Sequence, residues 1–243
     1  MLGLVRAAWG RPVGTAFADD LCSSDPNEIV RIATFNYVHV VVASAFDRAP
    51  DLTGSVPGDL VVYFREMQAA NLQRNRAIFD QLRSVGAVFA AEGMQGVVLK
   101  GGAELLDPIF PDPAFRFLGD LDILVPEADI DQAVARLRGD GAHPIEISEI
   151  DRRHHQNVDP LVRPDWPVPV ELHRNLGQGE LRSLLAADAD AGTACPTAAA
   201  ALVVPSAPYR LARAVQHSQL QPPRYRDGLL SLRDTIELEM MQS

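Results

Sequence analysis

The sequence predicts an α+β fold, in which helices pack on a small mixed β-sheet and helical segments flank this core at both ends. Three observations carry the prediction. Apolar residues recur at intervals of three and four along residues 59–92, which is the period of an amphipathic helix. After Gly93 this period ends, and short apolar or alternating runs bounded by glycine and proline indicate strands. Beyond about residue 180 the chain is rich in alanine and leucine, and helical again. This order of elements favours a layered sheet-and-helix core.

Residues 1–92 form the predicted N-terminal helical segment. Weak signals in residues 1–26 indicate a loosely packed arm. The run SSDPNE (23–28) is typical of a helix start, with a serine or Asp25 as the cap and Pro26 near the first helical position, and a helix is expected from about 27 to 47. After a loop rich in proline, glycine and aspartate comes the long helix of 59–92. Gly86 is a point at which this helix could divide, and a glycine directly after it is a good stop.

Residues 93–178 form the predicted core. It contains four strands, which the sequence places at QGVVLK (95–100), DLDILV (120–125), PIEISEI (144–150) and VPVELH (168–173). A turn and a short helix, GGAELL, follow the first strand, and a second helix lies within residues 127–142. Residues 179–243 form the predicted C-terminal helical segment, with a break at 203–208.

Charge and cysteine content restrict the function classes. A formal net charge of −10 argues against non-specific binding of long duplex nucleic acid, because such binding needs a basic surface. Cys22 and Cys195 lie far apart, so both are expected to be free thiols in a reducing compartment. The apolar stretch 29–46 is interrupted by Arg31 and His39, which argues against a membrane span. The expected location is the cytoplasm.

Two aspartates in DLDILV are candidate metal ligands. Asp120 and Asp122 lie two apart in the predicted strand, so both side chains should leave the same face of the sheet. Their Cα atoms would be about 6.5–7 Å apart. Carboxylates at this spacing suit one or two hard cations such as Mg²⁺. By itself the pattern also fits a solvated strand end with two surface aspartates.

A third carboxylate, Glu171, lies in VPVELH. The alternation of this run places Glu171 and His173 on one face of the strand. If this strand neighbours DLDILV, Glu171 comes beside Asp120 and Asp122. A triad of this kind serves two-metal phosphoryl transfer: two carboxylates hold the metals, and the third helps one metal bind and activate the attacking hydroxyl. The alternative for Glu171 is an exposed strand residue.

Lys100 is the only lysine in the chain, beside 21 arginines, a usage typical of a GC-rich bacterial genome. It stands before Gly101 and Gly102 at the end of a predicted strand. Backbone N–H groups at such a turn bind anions, glycines allow a phosphate to approach closely, and lysine supplies a compact charge. Chance is the alternative. Arg116, four residues before Asp120, could reach the same phosphates, or could be a surface arginine or a structural ion pair.

The stretch VLKGGAELLDPIFPDPAFRFLGDLDILV, followed by HH and PVELH, resembles the nucleotidyltransferase fold of the DNA polymerase β superfamily. Within it the chain is similar to bacterial nucleotidyltransferase family proteins and to abortive-infection nucleotidyltransferase toxins. The resemblance covers about residues 30–180. Two departures stand out: a glycine occupies the usual serine position of the turn, and the interval from Gly102 to Asp120 is long.

The resemblance implies roles for seven residues. Those for metal binding and catalysis are Asp120, Asp122 and Glu171, and those for nucleotide binding are Lys100, Gly101, Gly102 and Arg116. It implies Mg²⁺ or Mn²⁺ as cofactor and an NTP as substrate, expected to be ATP. The implied reaction transfers an NMP to a hydroxyl acceptor on a protein, small molecule or RNA and releases pyrophosphate.

Two further functions stay open. One is a non-catalytic nucleotide-binding protein that keeps the fold, and the other is a toxin that modifies tRNA ends, which the acidic balance disfavours. The histidines at 143, 152–156 (RRHHQ) and 173 have irregular spacing and no nearby cysteine, so a surface patch is expected rather than a zinc site.

Overall fold

The computed structural model describes residues 1–145, 158–174, 193–194, 201–216 and 231–241, and within them the fold is mixed α+β, as predicted. The chain groups into two compact units. The helical unit comprises Met1–Asn75, Phe110–Phe117 and Ser218–Ser243, and the sheet unit comprises Arg76–Ile109 and Leu118–His217. The predicted segments 1–92, 93–178 and 179–243 remain a prediction about domains. Across the described residues, no helix is both long and apolar enough to cross a membrane.

The helical unit is built from short helices and the first part of a long one. These are α1 (Leu2–Ala8), α2 (Thr15–Ser23), α3 (Pro26–Phe35), α4 (His39–Arg48), α5 (Pro50–Thr53), the start of α6 (Gly58–Ala91) and a C-terminal helix, Leu232–Met241. The expectation of a loose arm at 1–26 was wrong, because α1 and α2 form there and Leu4 is fully buried. Cys22 is an exposed free thiol, as predicted. Cys195 lies outside the described residues.

The single helix expected at 27–47 was also wrong. Its start is as predicted, since the Asp25 side chain accepts a hydrogen bond from the backbone of Asn27 and caps α3. The helix ends at Phe35, and Tyr37 has a φ of 55°, in the left-handed region. A right-handed helix cannot continue through that conformation, so α4 starts anew at His39.

Helix α6 confirms the amphipathic pattern. It runs unbroken through Gly86, so that residue does not divide it, and Gly93 follows with a φ of 68°, the conformation of a glycine stop. Residues up to Asn75 belong to the helical unit and later ones to the sheet unit. In the sheet unit the buried face of α6 belongs to the same apolar cluster as the strands, through Ile78, Leu82, Val85 and Phe89.

The described strands form one mixed sheet. They are β1 (Gly96–Val98), β2 (Leu121–Leu124), β3 (His143–Pro144), β4 (Leu161–Val162), β5 (Val170–His173), β6 (Thr193–Ala194) and β7 (Leu202–Val204). Their order is β3-β4-β5-β2-β1-β7-β6. The pairs β2–β5 and β1–β7 are parallel, and the other pairs are antiparallel.

Three predicted strands are confirmed at β1, β2 and β5. Strand β3 shares only Pro144 with the fourth predicted strand, PIEISEI, and residues 146–150 lie outside the described residues. Strand β4 was not predicted. Residues 203–206 are not helical, as the break expected at 203–208 implied, but the sequence did not predict that β7 forms there and pairs with β1, Gly96 with Leu202. The run LVV is short and apolar, and nothing local indicates its distant partner.

Besides the second part of α6, three described helices pack in the sheet unit, and the last of them is α9 (Ala207–Val215). Helix α7 (Lys100–Leu106) starts two residues after β1, and α8 (Ile130–Gly139) confirms the helix predicted within 127–142. Gly102 lets α7 lie directly on the sheet. A Cβ at this position would stand 2.7 Å from Val98 Cγ1 and 3.1 Å from Leu121 Cδ2, so any larger residue must displace one of them.

We predict that Gly102→Ala lowers the free energy of unfolding by about 2 kcal/mol, because the new methyl group overpacks the α7–sheet contact. Chemical denaturation of Gly102→Ala and of the wild type measures this loss of stability. Gly139→Ala is the matched control, since nothing lies within 4 Å of a Cβ there. Equal stability of the two variants would contradict the packing account.

Candidate active site

The parallel pairing of β2 with β5 places two carboxylates side by side. Asp122 pairs with Glu171, and Leu124 with His173, so the two strands are neighbours, which is the condition under which the sequence placed Glu171 beside the aspartates. Ligand atoms of Asp122, Glu171 and His173 all lie within 4.8 Å of one another. The alternate residues of both strands, such as Ile123, are fully buried in the apolar cluster. Two carboxylates and one imidazole therefore meet on one face of the sheet.

Asp122 is a buried, ionised carboxylate. Its residue surface is only 1% exposed, and its Oδ1 lies 2.7 Å from Lys100 Nζ and 2.6 Å from His173 Nε2. Burial by itself raises the pKa, but the hydrogen bond from His173 and the charge of Lys100 outweigh it and lower the pKa of Asp122 to about 2. An ionised oxygen only accepts hydrogen bonds, so His173 carries a proton on Nε2. Oδ2 takes part in neither contact.

Glu171 is in the opposite electrostatic situation. It is half-buried, and burial together with the charges of Asp122 and Asp120 raises its pKa. The two neighbouring acids therefore differ: Asp122 is held ionised, whereas Glu171 resists losing its proton. A divalent cation would relieve this repulsion, and carboxylate oxygens are the ligands that Mg²⁺ and Mn²⁺ prefer, so the donor set fits such an ion.

Asp120 lies one residue before β2 begins, so it is not within the strand that the sequence predicted for it. It is partly exposed, and its charge acts on Glu171. It is not one of the three side chains that converge on a single point. Its part in metal binding stays a prediction.

Lys100 adopts an unusual backbone conformation at the junction of β1 and α7. Its φ is 48°, and an L-residue in this left-handed region costs about 1–2 kcal/mol. Its ammonium group points to Asp122, so the sequence correctly placed it near the carboxylates. Gly101 and Gly102 follow it and are both buried. The packing of α7 on the sheet already explains Gly102, and phosphate binding by the turn stays a prediction.

Arg116 belongs to the helical unit, not to the unit that holds the carboxylates. It is buried, its Nε lies 2.7 Å from Glu237 Oε1, and its Nη1 donates to the carbonyl of Phe117. The side-chain amides of Asn71 and Asn75 donate to the Arg116 carbonyl. This is the structural ion pair that the sequence left open as an alternative. Nucleotide contact by Arg116 stays a prediction.

Sequence reasoning missed the burial of His173 and the position of the helix at residues 207–215. The surface location expected for the histidines is wrong for His173, which is buried against Asp122, and RRHHQ lies outside the described residues. Helix α9 (Ala207–Val215) carries Arg213, whose charge acts on Asp122. The pattern Y-R-x-x-R was a signal for two cations on one helical face, but nothing in it pointed to the sheet.

The model of a family described as an uncharacterised nucleotidyltransferase matches residues 23–224. The chain belongs to this family. No curated protein matches the sequence. Membership confirms the resemblance seen in the sequence, and it makes the protein a transferase whose implied substrate is a nucleoside triphosphate. The carboxylate pair on β2 and β5 is the candidate active site of this nucleotidyltransferase.

We predict that Glu171→Gln raises the melting temperature of the metal-free nucleotidyltransferase at pH 7. The raised pKa means that ionised Glu171 destabilises the fold, and glutamine removes that charge. The cost is full above the folded-state pKa and disappears below the ordinary pKa of glutamate, so the gain should shrink as the pH falls from the first value to the second. Thermal unfolding in EDTA at several pH values measures this, with the exposed Glu127→Gln as control. A lower melting temperature for Glu171→Gln at pH 7 would overturn the prediction.

We predict that Lys100→Gly is more stable than Lys100→Ala by about 1 kcal/mol, because glycine adopts a φ of 48° without strain. Both variants lose the same ammonium group, so their difference isolates the backbone. Urea denaturation of the two measures it. If alanine is as stable as glycine here, the backbone at Lys100 is not strained.

Proposed function

We propose that this nucleotidyltransferase transfers an NMP from an NTP, with ATP as the expected donor, to a hydroxyl of a protein, small molecule or RNA. The observation that carries the proposal is the register of β2 and β5, which puts ionised Asp122 beside Glu171. Asp122 and Glu171 would hold Mg²⁺ or Mn²⁺, with Asp120 as the third carboxylate. Such a cation, when bound, offsets negative charge on the phosphates and on the attacking oxygen.

The chain's own residues have distinct parts in this proposal. Lys100 and His173 keep Asp122 ionised and fix its orientation through Oδ1. Asp122 is already bound by Lys100 and His173, so Glu171 is the proposed acceptor for the proton of the attacking hydroxyl. The acceptor oxygen bonds to the α-phosphorus, the bond to the β-phosphate oxygen breaks, and pyrophosphate leaves. Lys100, Gly101 and Gly102 are the predicted phosphate contacts.

Nucleotide binding without transfer is the second candidate. The glycine at the usual serine position removes one hydroxyl contact to the phosphates, and the space at Gly102 does not admit a side chain. A serine therefore cannot be placed at Gly102 to restore the missing hydroxyl contact without displacing Val98 or Leu121. Toxin-type modification of tRNA is a further outcome of the test below.

We predict that α-³²P-labelled NTP, with Mg²⁺ or Mn²⁺ and host lysate, labels an acceptor, and that Asp122→Asn lowers the rate by about a hundredfold or more. Losing the charge of Asp122 weakens cation binding, while the amide keeps the shape of the side chain. Gel and thin-layer separation identify the nucleotide and the acceptor class, including tRNA.

Two controls accompany the labelling. Asp131→Asn changes an exposed aspartate in the same unit and should keep full activity. Label from γ-³²P-NTP should not be transferred, since the γ-phosphate leaves with pyrophosphate. Binding of nucleotide with no labelled acceptor would favour the non-catalytic alternative, and full activity of Asp122→Asn would rule out its proposed role.

A further inference from the structure

Helix α9 is bound to α7 by a buried arginine. Arg210 Nη1 lies 3.0 Å from Glu104 Oε2 and donates to the Asp107 carbonyl, and its Nη2 lies 2.6 Å from Asp107 Oδ2. The side chains of Arg210 and Glu104 are 8% and 2% exposed. Two buried charges of opposite sign are costly to separate, so this pair holds α9 against the helix that begins with Lys100.

An apolar contact fixes the same helix beside the active site. Tyr209 and Leu99 are both buried and form one small cluster, against which Val97 and Leu124 pack. Leu99 directly precedes Lys100, and Leu124 lies two residues after Asp122. Helix α9 therefore packs on residues adjacent to both members of the Lys100–Asp122 ion pair.

Arg213 lies on the same face of α9 as these anchors. It follows Tyr209 by four residues and Arg210 by three, the spacings that place side chains together on a helix. Arg213 is partly buried, its Nη1 donates to Gln216 Oε1, and the charge of Asp122 acts on its guanidinium group. Asp122 thus has a second cation nearby that does not belong to the strand–helix turn.

The two cations near Asp122 differ in what they contact. Lys100 donates directly to Oδ1 of Asp122, which is a buried charge that needs a close partner. Arg213 acts on Asp122 through its charge and presents a planar fork, which suits phosphate oxygens. The sequence expectation gave the phosphate contacts to Lys100, Gly101, Gly102 and Arg116, and did not include Arg213. The contacts in the structure instead point to different roles for Lys100 and Arg213.

We propose that Arg213 is a polyphosphate-binding residue of this active site, whereas Lys100 serves chiefly to hold Asp122. Arg210 is then a positioning residue that keeps Arg213 in place. This inference rests on the proposed function, because it assumes that the ligand of the site carries a polyphosphate. The chemical class of ligand is a triphosphate group, free or as part of an NTP.

Calorimetric binding of inorganic tripolyphosphate and of ATP tests the proposal. Arg213→Ala should weaken both by tenfold or more, and Arg213→Lys should recover part of the loss. Mn²⁺ binding without polyphosphate, followed by electron paramagnetic resonance, should not weaken in Arg213→Ala but should change in Lys100→Met. Arg138→Ala removes an exposed arginine of the same unit and should bind polyphosphate like the wild type, which controls for net charge.

The outcomes separate the two claims. If the wild type binds tripolyphosphate or ATP and Arg213→Ala binds them equally well, the inference is wrong while the proposed function stands. If the wild type binds neither, both are wrong. Circular dichroism checks folding, and Arg213→Gln, which keeps the length of the side chain, replaces alanine if that variant is unfolded. Arg210→Lys should weaken polyphosphate binding less than Arg213→Ala does.

Discussion

The structure of the sheet unit depends on one buried ionised carboxylate, that of Asp122. A charge this deeply buried is stable only with close partners, and Asp122 has two such partners from different parts of the chain. Lys100 comes from the junction of β1 and α7, and His173 from the end of β5. Their contacts explain why the only lysine accepts a strained backbone conformation and why a histidine is buried at a strand end.

Close packing positions Lys100 and Glu171 around Asp122. Gly102 lets α7 approach the sheet, which carries Lys100 to Asp122, and the register of β2 with β5 sets Glu171 beside the same residue. Apolar residues on the opposite faces of both strands hold that register, since a one-residue slip would turn the carboxylates into the apolar core. Core packing thus brings the acidic residues together. Because the chain belongs to a nucleotidyltransferase family, this acidic cluster is the candidate active site.

Features with a local cause could be predicted from the sequence, and features with a distant cause could not. The period of α6, the alternation in β2 and β5, and the shared face of Glu171 and His173 follow from nearby residues. The partner of β7, the ion pair of Arg116 and the approach of Arg213 depend on contacts between residues far apart in the chain. The turn at Tyr37 was missed because a non-glycine residue rarely adopts positive φ.

The central claim is that Asp122 and Glu171 together bind a divalent cation. A crystal grown with Mn²⁺ and measured near the manganese absorption edge tests it most directly. The account predicts an anomalous peak in contact with carboxylate oxygens of both residues. A peak bound elsewhere in the sheet unit, or a clear density map in which Glu171 turns away from Asp122 and no ion lies between them, would contradict it.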